Sequence, residues 1–90
     1  MARAVIDPSK VKAFASELTS FTNELQSRMQ SLCGSYKSLG DTWQDQEQAK
    51  FSEEFERSMK NLRRFIDAAN NQAPILVRKA DKIEEYLNQR

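Results

Sequence analysis

Histidine is absent from this 90-residue chain, and cysteine occurs once, at Cys33. The first absence removes the usual general base, the Ser-His and Cys-His nucleophile pairs and the commonest metal ligand. The second excludes an internal disulfide and a thiolate zinc cage. Cys33 then reads as a small half-buried helix residue, with an intermolecular disulfide or a reactive thiol as the alternatives. No Gly-rich phosphate loop is present, so no cofactor or metal is expected and an enzyme is not. Glycine and proline occur twice each, which leaves room for very few turns, and the β-branched content a sandwich or barrel needs is missing too. No apolar run approaches the roughly 20 residues of a membrane span, so stable membrane insertion is not expected. The opening Met1-Ala2-Arg3-Ala4-Val5-Ile6 is soon interrupted by Asp7-Pro8 and is too short for a signal-peptide core.

What is present is helical. Charged residues make up 30% and apolar ones 39% of the chain, and 14 Lys and Arg nearly balance 13 Asp and Glu. Asp7 is a candidate N-cap and Pro8 suits the first helical position, where its missing N–H costs nothing. Val11, Phe14, Leu18, Phe21, Leu25, Met29, Leu32, Tyr36 and Leu39 follow at steps of three or four residues. That spacing predicts an amphipathic helix from about Pro8 to Ser38, roughly 45 Å long. Leu39-Gly40-Asp41 breaks the pattern. Gly40 is expected to end the helix in the left-handed conformation. Asp41 or Thr42 is expected to cap the next helix, with Gln44 or Asp45 completing a capping box.

The second stripe is Phe51, Phe55, Met59, Leu62, Ile66, Ala69, Ala73, Leu76, Ala80, Ile83 and Leu87, broadened by Phe65, Val77 and Tyr86. It passes Pro74 in unbroken phase. One helix from about Thr42 to Asn88 is therefore expected, kinked near Asn70 to Pro74. The whole chain reads as one all-α domain, an antiparallel two-helix hairpin with its turn at 39–42. A hairpin buries one strip per helix, and these stripes are wider than that. Two hairpins pairing into a four-helix bundle would cover the surplus. Candidate core and dimer-interface residues are Phe14, Leu18, Phe21 and Leu25 on the first helix, with Met59, Leu62, Phe65 and Ile66 on the second.

The single tryptophan, Trp43, stands at the turn with Gln44 and Asp45 behind it and Phe51 eight residues on. Here the chain resembles the WXG (Trp-x-Gly) family of small helical hairpins associated with type VII secretion, which includes the early secreted antigen proteins. The resemblance covers length, two-helix plan, mid-chain turn and tryptophan position. Asp45 replaces the motif glycine. An aspartate in the first turn favours capping and the helix dipole. Trp43 itself is expected to pack over Leu39 and the start of the second helix, and to join a recognition patch as the family suggests.

The resemblance implies a small secreted partner, or targeting chaperone, that acts as a homodimer or as a heterodimer with a sister hairpin. A larger secreted effector and a secretion ATPase are the further partners it implies. Localisation would be extracellular, reached through the cytoplasm without an ordinary signal peptide. Family substrates commonly carry a C-terminal Tyr-x-x-x-Asp/Glu export signal, whereas Tyr86 is followed four residues later by Arg90. This chain would then be the signal-less member of a heterodimer, a homodimer exported by another route, or a relative that stays inside. The alternative reading is a cytoplasmic helical adaptor unrelated to secretion.

Two charge patterns complete the reading. Arg57, Lys60, Arg63 and Arg64 cluster on the second helix, followed by Arg78, Lys79 and Lys82, a possible track for phosphates. Glu53, Glu56 and Asp67 lie four residues from Arg57, Lys60 and Arg63, spacings that pair charges on a solvated helix. With a net charge of +1, nucleic acid is not an expected partner. Glu53, Glu54 and Glu56 point in different directions around a helix and read as surface, not as an acid–base pair.

Overall fold

A computed structural model describes residues 6–88. Met1 to Val5, part of the opening read above for a signal peptide, and Arg90, which follows Tyr86, lie outside the described residues. Two helices make up the fold, α1 (Pro8–Leu39) and α2 (Gln46–Leu87).

The start of α1 follows from local chemistry. Asp7 is extended (φ −96°, ψ 105°), and its carboxylate accepts from the backbone N–H of Ser9 at 3.0 Å and of Lys10 at 3.4 Å. Pro8 follows directly, where no N–H is needed. The other end differs from expectation. Gly40 is right-handed (φ −60°, ψ −21°), because the chain keeps donating backwards instead of reversing hand. The N–H groups of Asp41, Thr42 and Trp43 bond the carbonyls of Ser38, Leu39 and Leu39, at 3.3, 3.0 and 3.0 Å. Thr42 Oγ1 also donates to Leu39 O at 3.2 Å, and Gln44 Nε2 to Gly40 O at 3.0 Å.

These bonds keep residues 41–43 turned back onto the end of α1, so neither Asp41 nor Thr42 has the extended backbone that an N-cap needs. The second helix consequently starts at Gln46, not near Thr42, and its cap is Asp45. Asp45 is extended (φ −124°, ψ −175°), and its Oδ1 accepts from Gln48 N–H at 2.9 Å. From there α2 runs as one continuous helix of 42 residues through Pro74 to Leu87.

The seam between the helices is a heptad. On α1 it is Pro8, Ala15, Thr22 and Met29; on α2 it is Met59, Ile66, Ala73 and Ala80, with Ala69 beside them. Small residues hold the half near the open end, where Ala15 and Ala80 are almost fully covered. Larger ones fill the half nearer the turn, where Met29, Met59 and Ile66 pack with Leu25, Cys33, Phe55 and Leu62 around them. Small side chains admit close helix approach, so the seam is narrow. Thr22, 0% exposed, has its hydroxyl 3.0 Å from Thr19 O and 3.2 Å from Asn70 Oδ1. No buried side-chain polar atom among the described residues lacks a partner.

The result is a slab one helix deep, 69 × 27 × 15 Å, with a radius of gyration of 20.1 Å. A compact fold of this length would have about 12 Å. The accessible surface is 7614 Å², against about 5400 Å² for a compact monomer of this mass. No helix among the described residues is long and apolar enough to cross a membrane.

Candidate interaction surface

A slab of two helices has two broad faces, and heptad positions on either side of the seam assign residues to each. One face is apolar. On α1 it carries Val11, Leu18, Leu25 and Leu32 beside the seam, and Phe14 and Phe21 further out. On α2 Leu62, Leu76 and Ile83 lie beside the seam, with Phe51, Phe65 and Tyr86 outside. The opposite face is polar. There Lys12 Nζ pairs with Asp81 Oδ1 at 2.6 Å and with Glu84 Oε1, tying the open end of the hairpin. The hydrogen bonds that the Lys12 ammonium donates to Asp81, then to Glu84, and the charge of both hold it above its ordinary 10.5.

The residues singled out from sequence separate between seam and face. Met59 and Ile66 are buried in the seam, and Leu25 and Leu62 pack against them while half-buried. Leu18 is half-buried at the seam's edge. Phe14 and Phe21 point away from α2's seam, 56% and 53% exposed, and Phe65 is 44% exposed. Phe21 and Phe65 meet edge to face across the outside of the seam, ring centroids 6.2 Å apart. The apolar stripe on α1 thus meets α2 through Met29, with Leu25 at its edge, in the half near the turn, but not at Phe14 and Phe21 toward the open end. There Ala15 and Thr22, one position around, form the contact instead. The signal that could have found them is the small-residue heptad itself, Ala15 and Thr22 facing Ala69, Ala73 and Ala80.

At the turn end the aromatic side chains form one stack. Trp43 is half-buried with its ring 6.0 Å from Phe51, which stacks on Phe55 at 5.8 Å. Tyr36 lies against both, at 5.6 and 4.7 Å, and its hydroxyl accepts from Gln48 Nε2 at 2.9 Å. Asp45 fixes the helix start beneath the tryptophan without any left-handed residue, since its φ is negative. The motif position therefore makes no demand for glycine in this chain.

Charge pairing departs from expectation as well. Glu53–Arg57, Glu56–Lys60 and Arg63–Asp67 form no ion pairs. Among the described residues the pairs are Lys12 with Asp81 and Glu84, and Glu24 with Arg28 at 3.6 Å. The carboxylates, the Arg57 and Arg63 guanidinium groups and the Lys60 ammonium of that stretch are solvent-exposed, where holding two long side chains together gains little.

The same hairpin is found in solved structures. A crystal structure of the secreted protein ESXB from Bacillus anthracis str. Sterne is 31% identical, covers 98% of this chain and 100% of its own, and superposes with a TM-score of 0.76. A second crystal form of that wild-type protein is 32% identical over 91% of this chain and 94% of its own, with a TM-score of 0.73. A single-residue variant of it, 29% identical, covers 96% of this chain and 100% of its own and reaches 0.82. No curated protein sequence matches the chain. The WXG100 family, described as proteins of 100 residues with WXG, matches residues 5–86. Helical-hairpin architecture, the tryptophan at the turn and a family match over nearly the full length lead to one conclusion: this chain belongs to the WXG100 family, the small type VII secretion-associated proteins.

Proposed function

We propose that this chain is a non-enzymatic binding partner in a type VII-like secretion pathway, and that it acts as a dimer of hairpins packed into a four-helix bundle. The observation that carries the reading is the division of the apolar side chains. Alanines and a threonine occupy the seam, while Phe14, Phe21 and Phe65 stand on the outer face. Phenyl groups left about half exposed on one broad face suit a second hairpin laid against that face. The surplus of about 2200 Å² over a compact monomer exceeds the roughly 800 Å² per partner of a standard interface.

The second hairpin is either another copy or a sister chain, and a larger secreted effector and a secretion ATPase are the further partners. Export proceeds from the cytoplasm without an ordinary signal peptide, as the secreted ESXB relatives favour. With no histidine in the chain, binding is the better use of the fold than catalysis. Arg90, where an acidic residue would complete an export signal, favours the second reading, a hairpin that stays in the cytoplasm as an assembly module.

Light scattering on the purified protein tests the assembly, and antibody detection in the culture medium of the native host tests the destination. A mass of two chains and protein in the medium are expected. A folded single chain at high dilution overturns the dimer, and protein confined to the cells overturns export.

A further inference from the structure

The polar face is not uniformly polar. Near the turn, two shallow hollows of about 610 and 460 Å³ run along the seam and share Cys33 and Arg63. Their floor includes Cys33, Tyr36 and the buried Met59. Lys37 on the α1 wall and Lys60 and Arg63 on the α2 wall stand above that floor. None of the three cations has an ion-pair partner among the described residues. From Gln26 to Lys37 the two hollows span about 16 Å of α1, the length of three helical turns.

We infer that this groove docks an acidic amphipathic helix of a partner protein, on the face opposite the one that a second hairpin covers. The apolar floor takes a narrow i, i+3, i+4 stripe of the incoming helix. Cations on both walls take carboxylates flanking that stripe on either side. The same features disfavour other anionic occupants. Glu56 and Asp67 also line the hollows, so the carboxylates of the incoming helix must face Lys37, Lys60 and Arg63 and lie away from these two; a nucleic acid backbone, charged at every step, cannot be spaced that way and gains nothing from the apolar floor at Met59. A flat lipid surface does not enter a concave groove. The inference rests on the proposed dimer only in naming which face remains free, and the two are separable by experiment.

The probe is a synthetic three-turn helical peptide with a leucine stripe flanked by glutamates, and a twin in which lysines replace the glutamates. Binding is followed by fluorescence anisotropy, with amide shifts of the labelled full chain locating the site. The acidic peptide is expected to bind more weakly as salt is added, and to shift Cys33, Lys37, Met59 and Arg63. The triple variant K37E/K60E/R63E is expected to lose at least about tenfold in affinity while keeping its native mass by light scattering. Phe21→Asp is expected to do the reverse, losing the dimer and keeping the peptide.

Equal binding of both peptides, undiminished binding to the triple variant, shifts confined to the apolar face or no binding of the acidic peptide would each overturn the inference. Stronger capture by phosphatidylserine vesicles or by a DNA duplex would also overturn it, in favour of a phosphate ligand. A monomeric wild-type chain that still binds the acidic peptide in the groove would refute the dimer and leave the groove standing.

Discussion

Substituting Phe21 with aspartate probes the apolar face where it is best defined. Phe21 is 53% exposed in the single hairpin and touches Phe65 edge to face. A phenylalanine side chain offers about 200 Å², so about 100 Å² per copy remains for a partner hairpin to cover. At about 25 cal/mol per Å² that is roughly 2.5 kcal/mol per copy. A symmetric dimer contains the site twice, giving roughly 5 kcal/mol, or between three and four powers of ten in dissociation constant. The carboxylate adds to this, since it would be desolvated against a facing phenyl ring. Inside one hairpin the covered half of the side chain is worth at most roughly 2.5 kcal/mol by the same arithmetic, and the ring pair about 0.5–1.5 kcal/mol more, so folding must be followed alongside assembly. Sedimentation across a dilution series, with circular dichroism on the same samples, separates the two effects. Gln30→Asp, on the polar face, is the control and should leave assembly untouched. If Phe21→Asp stays dimeric at the dilutions where the wild type is dimeric, the face has been wrongly assigned.

Three further perturbations test the hairpin itself. Ala80→Leu forces a larger side chain into a fully covered seam position and should destabilise by about 1–3 kcal/mol in urea unfolding; an unchanged midpoint would contradict the close approach described for that half. Asp45→Ala should cost about 0.5–2 kcal/mol through the lost cap, whereas Asp45→Gly should cost only a few tenths; equal losses in thermal melting would mean that Asp45 does more than cap. Lys12 has a folded pKa raised above 10.5 by Asp81 and Glu84, so its contribution is fully present below that value and disappears as pH rises through the folded pKa. The melting-temperature gap between wild type and Lys12→Met should accordingly be constant from neutral pH to about 10 and narrow above it; a gap that persists at higher pH would place the effect in packing.

Much of this fold is legible from residue spacing, and the exceptions have local causes. The start of α1 is readable because Asp7 directly precedes Pro8, which suits the first helical position, and this sets Asp7 ahead of Ser9 as the cap. The start of α2 is not, because Asp41, Thr42 and Asp45 compete within five positions. The choice depends on how far the turn at the end of α1 continues, and the backbone N–H groups of Asp41, Thr42 and Trp43 still donate back to Ser38 and Leu39. The hand of Gly40 fails for the same reason. Continuity through Pro74 is readable from the phase of Ala69, Ala73 and Ala80, since a reset register would show in the spacing.

The seam is harder. Phe14 and Phe21 repeat every seven residues, and so do Ala15 and Thr22 one position on. Periodicity in one helix cannot rank two adjacent heptads. Packing against alanines on the other helix does, because close approach favours the small pair and excludes the large one. Hydrophobicity alone singles out the eight candidate core and interface residues without ranking them, and only the tertiary contact divides Met59 and Ile66, buried in the seam, from Phe14, Phe21 and Phe65, which stay exposed.

The one-sidedness of this slab has a consequence for how far it can assemble. In the proposed dimer the exposed phenyl groups of each copy lie against the other, and what points outward is a seam groove walled by lysine, arginine, glutamine and aspartate. Growth would then end at two, whereas a hairpin with exposed phenyl groups on both sides would stack without limit into fibres.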